Sequence, residues 1–157
     1  MKKATVFTLL FFLCLGAWTQ FIYTNATAEA RFSRNLQVAE RLFEKGILDE
    51  ALAAYLKCQD LEPENKEVLF QIALLYQKAE EQEKARLFCS KLEKLGENSE
   101  SLYLLWAETF SAERKYAEAA KILQKGRGEK IEEKKREIDG KYYLKYVPAT
   151  AWQEWTR

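Results

Sequence analysis

The sequence has no histidine, and its 157 residues include only two prolines, six glycines and three cysteines. Without histidine, Ser-His and Cys-His nucleophile pairs, imidazole proton shuttles and zinc sites with an imidazole ligand are all excluded. The cysteines, Cys14, Cys58 and Cys89, include no closely spaced pair, which disfavours a cysteine-bound metal cluster. We therefore expect no catalysis, no cofactor and no metal site.

The sequence also lacks an excess of charge of either sign, with 25 basic against 24 acidic residues. Setting aside the first 28 residues removes only Lys2 and Lys3 from that balance. A protein that binds nucleic acid needs basic residues to neutralise the phosphates. The composition therefore predicts no nucleic-acid partner.

The scarcity of proline and glycine removes the residues that most often interrupt helices. Alanine, leucine, glutamate and lysine, which lose little conformational freedom in a helix, are abundant instead. We therefore predict an all-α fold.

Residues 1–28 have the features of a membrane-directed segment. A short basic start, which contains Lys2 and Lys3, precedes an apolar run over residues 6–23. This length suits an uncleaved signal anchor, and it also suits a signal peptide cleaved after the small-x-small sequence at residues 26–28. Both alternatives place the rest of the chain on the extracytoplasmic side of the cell envelope, either anchored in the membrane or secreted to the periplasm or exterior.

Beyond this leader, the sequence repeats itself with a period of 34 residues. Two phases of the period carry alanine in three consecutive windows, and two others carry large apolar residues. The alanines are Ala39, Ala73 and Ala107 at the first phase and Ala51, Ala85 and Ala119 at the second. The large residues are Val38, Ile72 and Trp106 at one phase and Leu42, Tyr76 and Phe110 at the other. A fixed period of this length indicates an array of stacked units.

This pattern resembles the tetratricopeptide-repeat (TPR) family, whose 34-residue unit is a pair of antiparallel helices that meet at small residues. The best copy, residues 32–65, also has Gly46 in the turn between the helices and Pro63 near its end. The resemblance implies six antiparallel helices over residues 32–126, arranged as a right-handed α-α superhelix.

The other two copies depart from the family pattern. The copy at 66–99 has Glu80 in place of the turn glycine and Glu97 in place of proline. The copy at 100–133 has a degenerate end, where Gly126 and Gly128 interrupt its second helix.

The C-terminal part divides into two predicted segments. Residues 127–140 are expected to form a charged capping helix with Ile131 and Ile138 on one face, ending at Gly140. The aromatic and β-branched run at 141–147 predicts a short strand within a segment, 141–157, that is a candidate for the start of another domain. Tyr142, Trp152 and Trp155 in this segment are interpreted as a core or capping surface, with a ligand platform as the alternative.

In TPR proteins the first helix of each unit lines the concave side, where ligands usually bind. The register places these helices at residues 32–45, 66–79 and 100–113. The candidate groove residues lie three positions before and one position after the first alanine of each unit: Leu36, Glu40, Phe70, Leu74, Leu104 and Glu108. They predict an apolar groove with acidic flanks, and packing of the large residues between units is the less favoured alternative. Family members that grip the carboxylate end of a chaperone tail carry Lys, Asn and Arg at these phases, which disfavours that partner class here.

We therefore predict a membrane-associated TPR scaffold that binds a protein or peptide partner in its groove and is not an enzyme. An alternative hypothesis makes the repeats an accessory or spacer segment for a downstream enzymatic or carbohydrate-binding domain that begins near Gly140. Self-association through the ends of the array is a third hypothesis. Cys58 and Cys89 are interpreted as buried thiols, with a disulfide between them as the alternative.

Overall fold

The computed structural model describes residues 27–146 of the chain, with side chains as far as Lys141. Every regular element in this part is a helix. In chain order these are α1 (27–44), α2 (Leu48–Leu61), α3 (Lys66–Lys78), α4 (Gln82–Lys94), α5 (Glu100–Ala112), α6 (Tyr116–Leu123) and α7 (Glu129–Tyr146). The chain divides into two compact units, Met1–Pro63, which contains α1 and α2, and Glu64–Arg157, which contains α3 to α7.

The helices α3 and α5 begin with the same type of cap, one period apart. The Asn65 side chain accepts a hydrogen bond from the Val68 amide at 3.1 Å, and the Ser99 hydroxyl accepts one from the Leu102 amide at 3.4 Å. Each bond satisfies an amide of the first turn that has no partner within its own helix. The polar caps therefore set the starts of both helices at the predicted register.

The turns between the paired helices have one geometry in all three units. Gly46, Glu80 and Arg114, spaced by the period, have φ values of 74°, 61° and 59°. The next amide in each turn donates to a carbonyl near the end of the first helix: Ile47 to Leu42 at 3.0 Å, Glu81 to Tyr76 at 2.9 Å and Lys115 to Phe110 at 3.0 Å. This is the hydrogen bond of a left-handed helix end. Replacing glycine by Glu80 or Arg114 therefore leaves the turn in place, at a cost of about 1–2 kcal/mol.

The repeated alanines lie in the interior of the helix array. The six repeat-defining alanines, Ala39, Ala51, Ala73, Ala85, Ala107 and Ala119, are all fully buried. In the second compact unit, α3 packs against α4, α4 against α5, and α5 against α6. A methyl group at these positions lets the helix backbones approach without a clash. Pro63, the remaining repeat-defining residue, lies exposed in the turn after α2.

The third TPR unit ends early because its chain turns at two glycines. Helix α6 stops at Leu123, and a Cβ atom on the buried Gly126 would lie only 2.8 Å from the Tyr103 ring. Gly128 has a φ of 148°, and a Cβ atom there would collide with the Glu100 carboxylate. That carboxylate accepts hydrogen bonds from the amides of Lys130 at 2.9 Å and Ile131 at 3.3 Å. Glu100 on α5 therefore caps the start of α7, which requires the close approach that glycine permits.

The structure confirms part of the prediction for the C-terminal helix and corrects the rest. Ile131 and Ile138 are buried in the core against α5 and α6, as predicted. The helix does not end at Gly140, however, and the predicted strand is wrong for residues 141–146, which continue α7. The helix boundary predicted at Gly140 is therefore corrected to Tyr146.

The physical reason is the demand of the backbone for hydrogen-bond partners. A helix satisfies its amides and carbonyls internally, whereas a strand needs a neighbour, and no described residue forms a strand that could pair with it. One glycine within a helix costs only about 0.5–1 kcal/mol relative to alanine, too little to end it.

Both described cysteines are buried, free thiols. Cys58 and Cys89 form no disulfide and are fully shielded from solvent. Burial raises the pKa of the Cys89 thiol to about 12. Burial also raises the pKa of Cys58, with smaller contributions from the charges of Glu62 and Glu40. The structure therefore agrees with the interpretation of both residues as small core side chains.

Two predictions lie outside the described residues: the membrane-directed segment at 6–23, and the role of the aromatic side chains at 142–157. Within residues 27–146, no helix is both long enough and apolar enough to cross a membrane.

We expect Ala73→Leu to destabilise the protein by about 1–3 kcal/mol, because the added volume must force apart helices that touch at this position. Ala117→Leu makes the same change at an exposed position of α6 and should alter stability little. Denaturant unfolding of both variants measures the difference. Equal stability of the two would contradict the assignment of Ala73 to a close helix contact.

We expect Gly140→Ala to stabilise the protein by about 0.5–1 kcal/mol, because alanine favours a helix interior and its Cβ atom meets no neighbour within 4 Å. Gly46→Ala should do the opposite, since the left-handed backbone at Gly46 disfavours a side chain. Thermal unfolding followed by circular dichroism checks both signs. A destabilised Gly140→Ala variant would show that α7 does not continue through this residue.

Candidate protein-binding groove

The six predicted groove residues all lie on first helices, and they fall into two groups. In the first compact unit, α1 carries Leu36, which is half-buried, and Glu40, which is exposed. In the second unit, α3 carries Phe70 and Leu74 and α5 carries Leu104 and Glu108, all of them half-buried. Because α3 and α5 are in direct contact, the second group forms a surface shared by two neighbouring TPR units.

The apolar residues of this second group have two roles. Phe70, Leu74 and Leu104 all pack against the buried core of the unit. Each is nevertheless only partly buried, so that part of its surface can still contact a partner. Packing against the core therefore fixes these side chains, so that binding a partner costs less side-chain conformational entropy.

A cleft of about 450 Å³ opens beside Phe70. Its walls are formed by α3, by the loop between α4 and α5, and by the start of α5. Its lining consists of one aromatic side chain and six polar or charged ones: Phe70, Lys66, Glu67, Gln71, Glu97, Ser99 and Ser101. Of the predicted groove residues, the cleft thus contains Phe70 but not Leu74, Leu104 or Glu108.

The structure adds Gln71 to the candidate site. Its Oε1 atom is buried and accepts no hydrogen bond from any described residue. A buried acceptor without a partner costs about 1–3 kcal/mol, and because this atom is shielded from solvent, a ligand N–H group reaches it only if the Gln71 side chain turns toward the cleft. The sequence already distinguishes Gln71, because it is the one polar residue in the apolar stretch between Val68 and Tyr76.

The charges around the groove are mixed. At the cleft, Lys66 Nζ lies 3.8 Å from Glu97 Oε2, with both side chains partly exposed. Farther along α5, Lys134 Nζ of α7 lies 3.8 Å from Glu108 Oε1 and 2.9 Å from Glu137 Oε2. The predicted acidic flank is therefore partly neutralised at Glu108, because α7 brings a lysine beside it.

Charged side chains of the capping helix α7 also form ion pairs with one another. Hydrogen bonds from Lys141, and then from Lys134, lower the pKa of the Glu137 carboxyl below its ordinary value. The pKa of Lys141 is raised, chiefly by its hydrogen bond to Glu137. Glu137 therefore stays ionised at neutral pH and holds Lys134 near Glu108.

The glutamate-rich turn after α3 shows no arrangement suited to chemistry. Glu80, Glu81 and Glu83 are exposed, and Glu81 forms an ion pair with Lys84. Over residues 27–146, no group of three His, Cys, Asp or Glu side chains lies close enough to hold a metal ion.

No protein-family model and no curated protein matches the sequence, but many solved structures match the fold. The first TPR domain of human RPAP3 has a TM-score of 0.64 at 20% identity, over 73% of this chain and 94% of that one. The same domain, described as the first TPR of Spaghetti bound to the HSP90 peptide SRMEEVD, has a TM-score of 0.63 at 20% identity over 70% and 91% of the two chains. The TPR2B domain of yeast Sti1 in its pHsp70 complex has a TM-score of 0.59 at 24% identity, over 72% of this chain and 94% of that one.

These likenesses show that the chain has the TPR fold. They agree with the period, the buried alanines and the repeated turn geometry of this chain, which were established independently. At such identities the likeness concerns the fold alone.

Proposed function

We propose that this protein is a membrane-associated, extracytoplasmic scaffold that binds a protein or peptide partner through the groove on its first helices, without catalysing a reaction. The observation that carries the proposal is the cleft that the half-buried Phe70 and Gln71 side chains line together. An apolar contact and an acceptor for N–H groups are the two features that a peptide chain needs in a binding site. The peptide complexes of the similar RPAP3 and Sti1 domains support this use of the fold.

Phe70 is the proposed anchor for an apolar side chain of the partner. Aromatic residues near the centre of an interface supply a large contact area at a small entropic cost. Gln71 would accept a hydrogen bond from a backbone amide of the same segment, which fixes its position along α3. The cleft volume of about 450 Å³ suits a few residues of a peptide rather than a whole protein surface.

The charges around the cleft suggest that electrostatics set specificity more than affinity. Lys66 and Glu97 already lie near each other, and an exposed pair of this kind contributes about 0–1 kcal/mol. The predicted groove positions contain no Lys, Asn or Arg. We therefore expect a partner with apolar side chains, and we do not expect a segment held by a terminal carboxylate.

The apolar run at residues 6–23 is proposed to attach the scaffold to the membrane, with the TPR units on the extracytoplasmic side. A tethered scaffold gains from this arrangement, because confinement near the membrane raises the effective concentration of any partner in the same membrane.

We expect Phe70→Ala to weaken the binding of a selected peptide by about 2 kcal/mol, or roughly thirtyfold in Kd. The peptide is first selected from a random library on the full chain, and its Kd is measured by titration calorimetry. Leu87→Ala is the matched control, because Leu87 is 68% exposed on α4 and lies outside the groove. Circular dichroism must show that both variants remain folded.

The groove proposal fails if the folded Phe70→Ala variant binds the selected peptide with unchanged affinity. Gln71→Leu gives a second measure, since it keeps a side chain of similar length and removes the acceptor. It should weaken a peptide that donates a backbone N–H at this point and leave the fold intact.

The membrane proposal predicts that protease added outside intact cells, or to opened periplasm, degrades the TPR units while a cytoplasmic marker survives. Intact mass of the membrane-extracted protein distinguishes the two leaders, because an anchor retains residues 1–28 and a signal peptide does not. A TPR region protected from protease in both preparations would place it on the cytoplasmic side and contradict the proposal.

A further inference from the structure

The charges on α1 are sorted onto separate sides of the helix. Four exposed residues of α1 and Lys45, which directly follows the helix, are spaced alternately by three and four positions. Four of the five are basic: Arg31, Arg34, Val38, Arg41 and Lys45. At 3.6 residues per turn, this spacing confines them to an arc of about 80°. The acidic residues Glu29, Glu40 and Glu44 lie on the other side of the helix. We call the first five residues the basic stripe.

The basic stripe includes an apolar position that is exposed in α1 and buried in the later units. Val38 is 45% exposed, whereas Ile72 and Trp106, at the same phase of the later units, are 0% and 8% exposed. In the second compact unit, α4 of the preceding TPR unit packs against α5, which carries Trp106. No described helix precedes α1, and Val38 on the corresponding face is exposed.

The cations of the stripe have no acidic partners within ion-pair distance among the described residues. Two of them, Arg31 and Arg34, line a cleft of about 340 Å³ between α1 and α2. Lys57 joins them there, together with Asn35, Asp60 and Leu61. Three cations thus face one carboxylate at this cleft, which favours an anionic ligand.

We propose that the basic stripe and the adjoining cleft dock onto anionic phospholipid headgroups, so that α1 lies against the membrane surface. Arg31 follows the last residue of the predicted membrane segment by only eight positions, a reach of at most about 28 Å. Basic residues near an anionic bilayer each strengthen its binding about fivefold. The exposed Val38 within the stripe adds an apolar contact of the kind that interfacial helices make.

The docking would orient the scaffold. It rests on the membrane association proposed above, but it does not involve the groove. The stripe and the acidic side of α1 point in different directions, so an anionic surface attracts one side and repels the other. The scaffold would then be held in one orientation relative to the bilayer, instead of turning freely on its tether.

The test uses the full chain in vesicles of phosphatidylcholine alone or of phosphatidylcholine and phosphatidylglycerol in about a two-to-one ratio. A fluorophore is attached through Val38→Cys, in a Cys14→Ser background, and quenched by lipids that carry a nitroxide on the headgroup. Cys58 and Cys89 are fully buried and do not compete for the label. Glu44→Cys, on the acidic side of the same helix, provides the matched label position.

Quenching at residue 38 should exceed quenching at residue 44 only when phosphatidylglycerol is present, and it should fall at high salt. Arg31→Gln combined with Arg34→Gln should reduce the ratio of docked to undocked protein about twenty-fivefold, from about fivefold for each residue. The control pair is Lys94→Gln with Lys121→Gln, which removes the same charge from exposed positions on α4 and α6. It should leave quenching unchanged.

Equal quenching at the two positions, or no effect of the Arg31 and Arg34 substitutions, would overturn the proposal. Energy transfer between labels at residue 38 without lipid quenching would instead assign the stripe to a second copy of the chain. If the protein fails to float with phosphatidylcholine vesicles, the proposed membrane anchor fails. The stripe is then judged by flotation with phosphatidylglycerol vesicles, and loss of that flotation in the Arg31 and Arg34 variant supports it.

Discussion

Helix backbones can pack closely only where the side chains between them are small. Each helix from α1 to α6 carries an alanine at one of the two repeat-defining phases, and all six of these alanines are completely buried. A larger side chain at any of them would push a helix outward and displace the groove residues on its other faces. The positions of Phe70 and Leu104 therefore depend on residues such as Ala73 and Ala107, which a partner never touches.

The turns obey a second constraint that is set by the backbone. The same left-handed conformation recurs at Gly46, Glu80 and Arg114, although only the first is glycine. The strain at the other two is of about the same size as one hydrogen bond or one buried methyl group. Tertiary packing of the paired helices can therefore hold a conformation that the local sequence disfavours.

The end of the array shows how a repeat can stop without exposing its core. A shortened α6 and two glycines let α7 fold back, with its start capped by Glu100 and with Ile131 and Ile138 filling the core. The same helix carries Lys134 to the side of Glu108. Helix α7 thus both caps the array and changes the charge beside the groove. At the other end, no element among residues 27–146 covers the face of α1 that carries Val38 and its basic neighbours, all of which are exposed.

The sequence by itself determined the helical class, the period, the buried alanines and the starts of α3 and α5, because each depends on residues within one unit. The continuation of α7 through Gly140 could not be predicted from the sequence, because the aromatic run suggested a strand. The helix was decided in three dimensions, where no described residue forms a strand that could pair with this segment. The unpaired acceptor of Gln71 and the contact between Lys134 and Glu108 were also decided by tertiary structure. Both depend on which atoms of distant segments come together, and a repeat pattern records the spacing of side chains along the chain but not the partners that they meet in space.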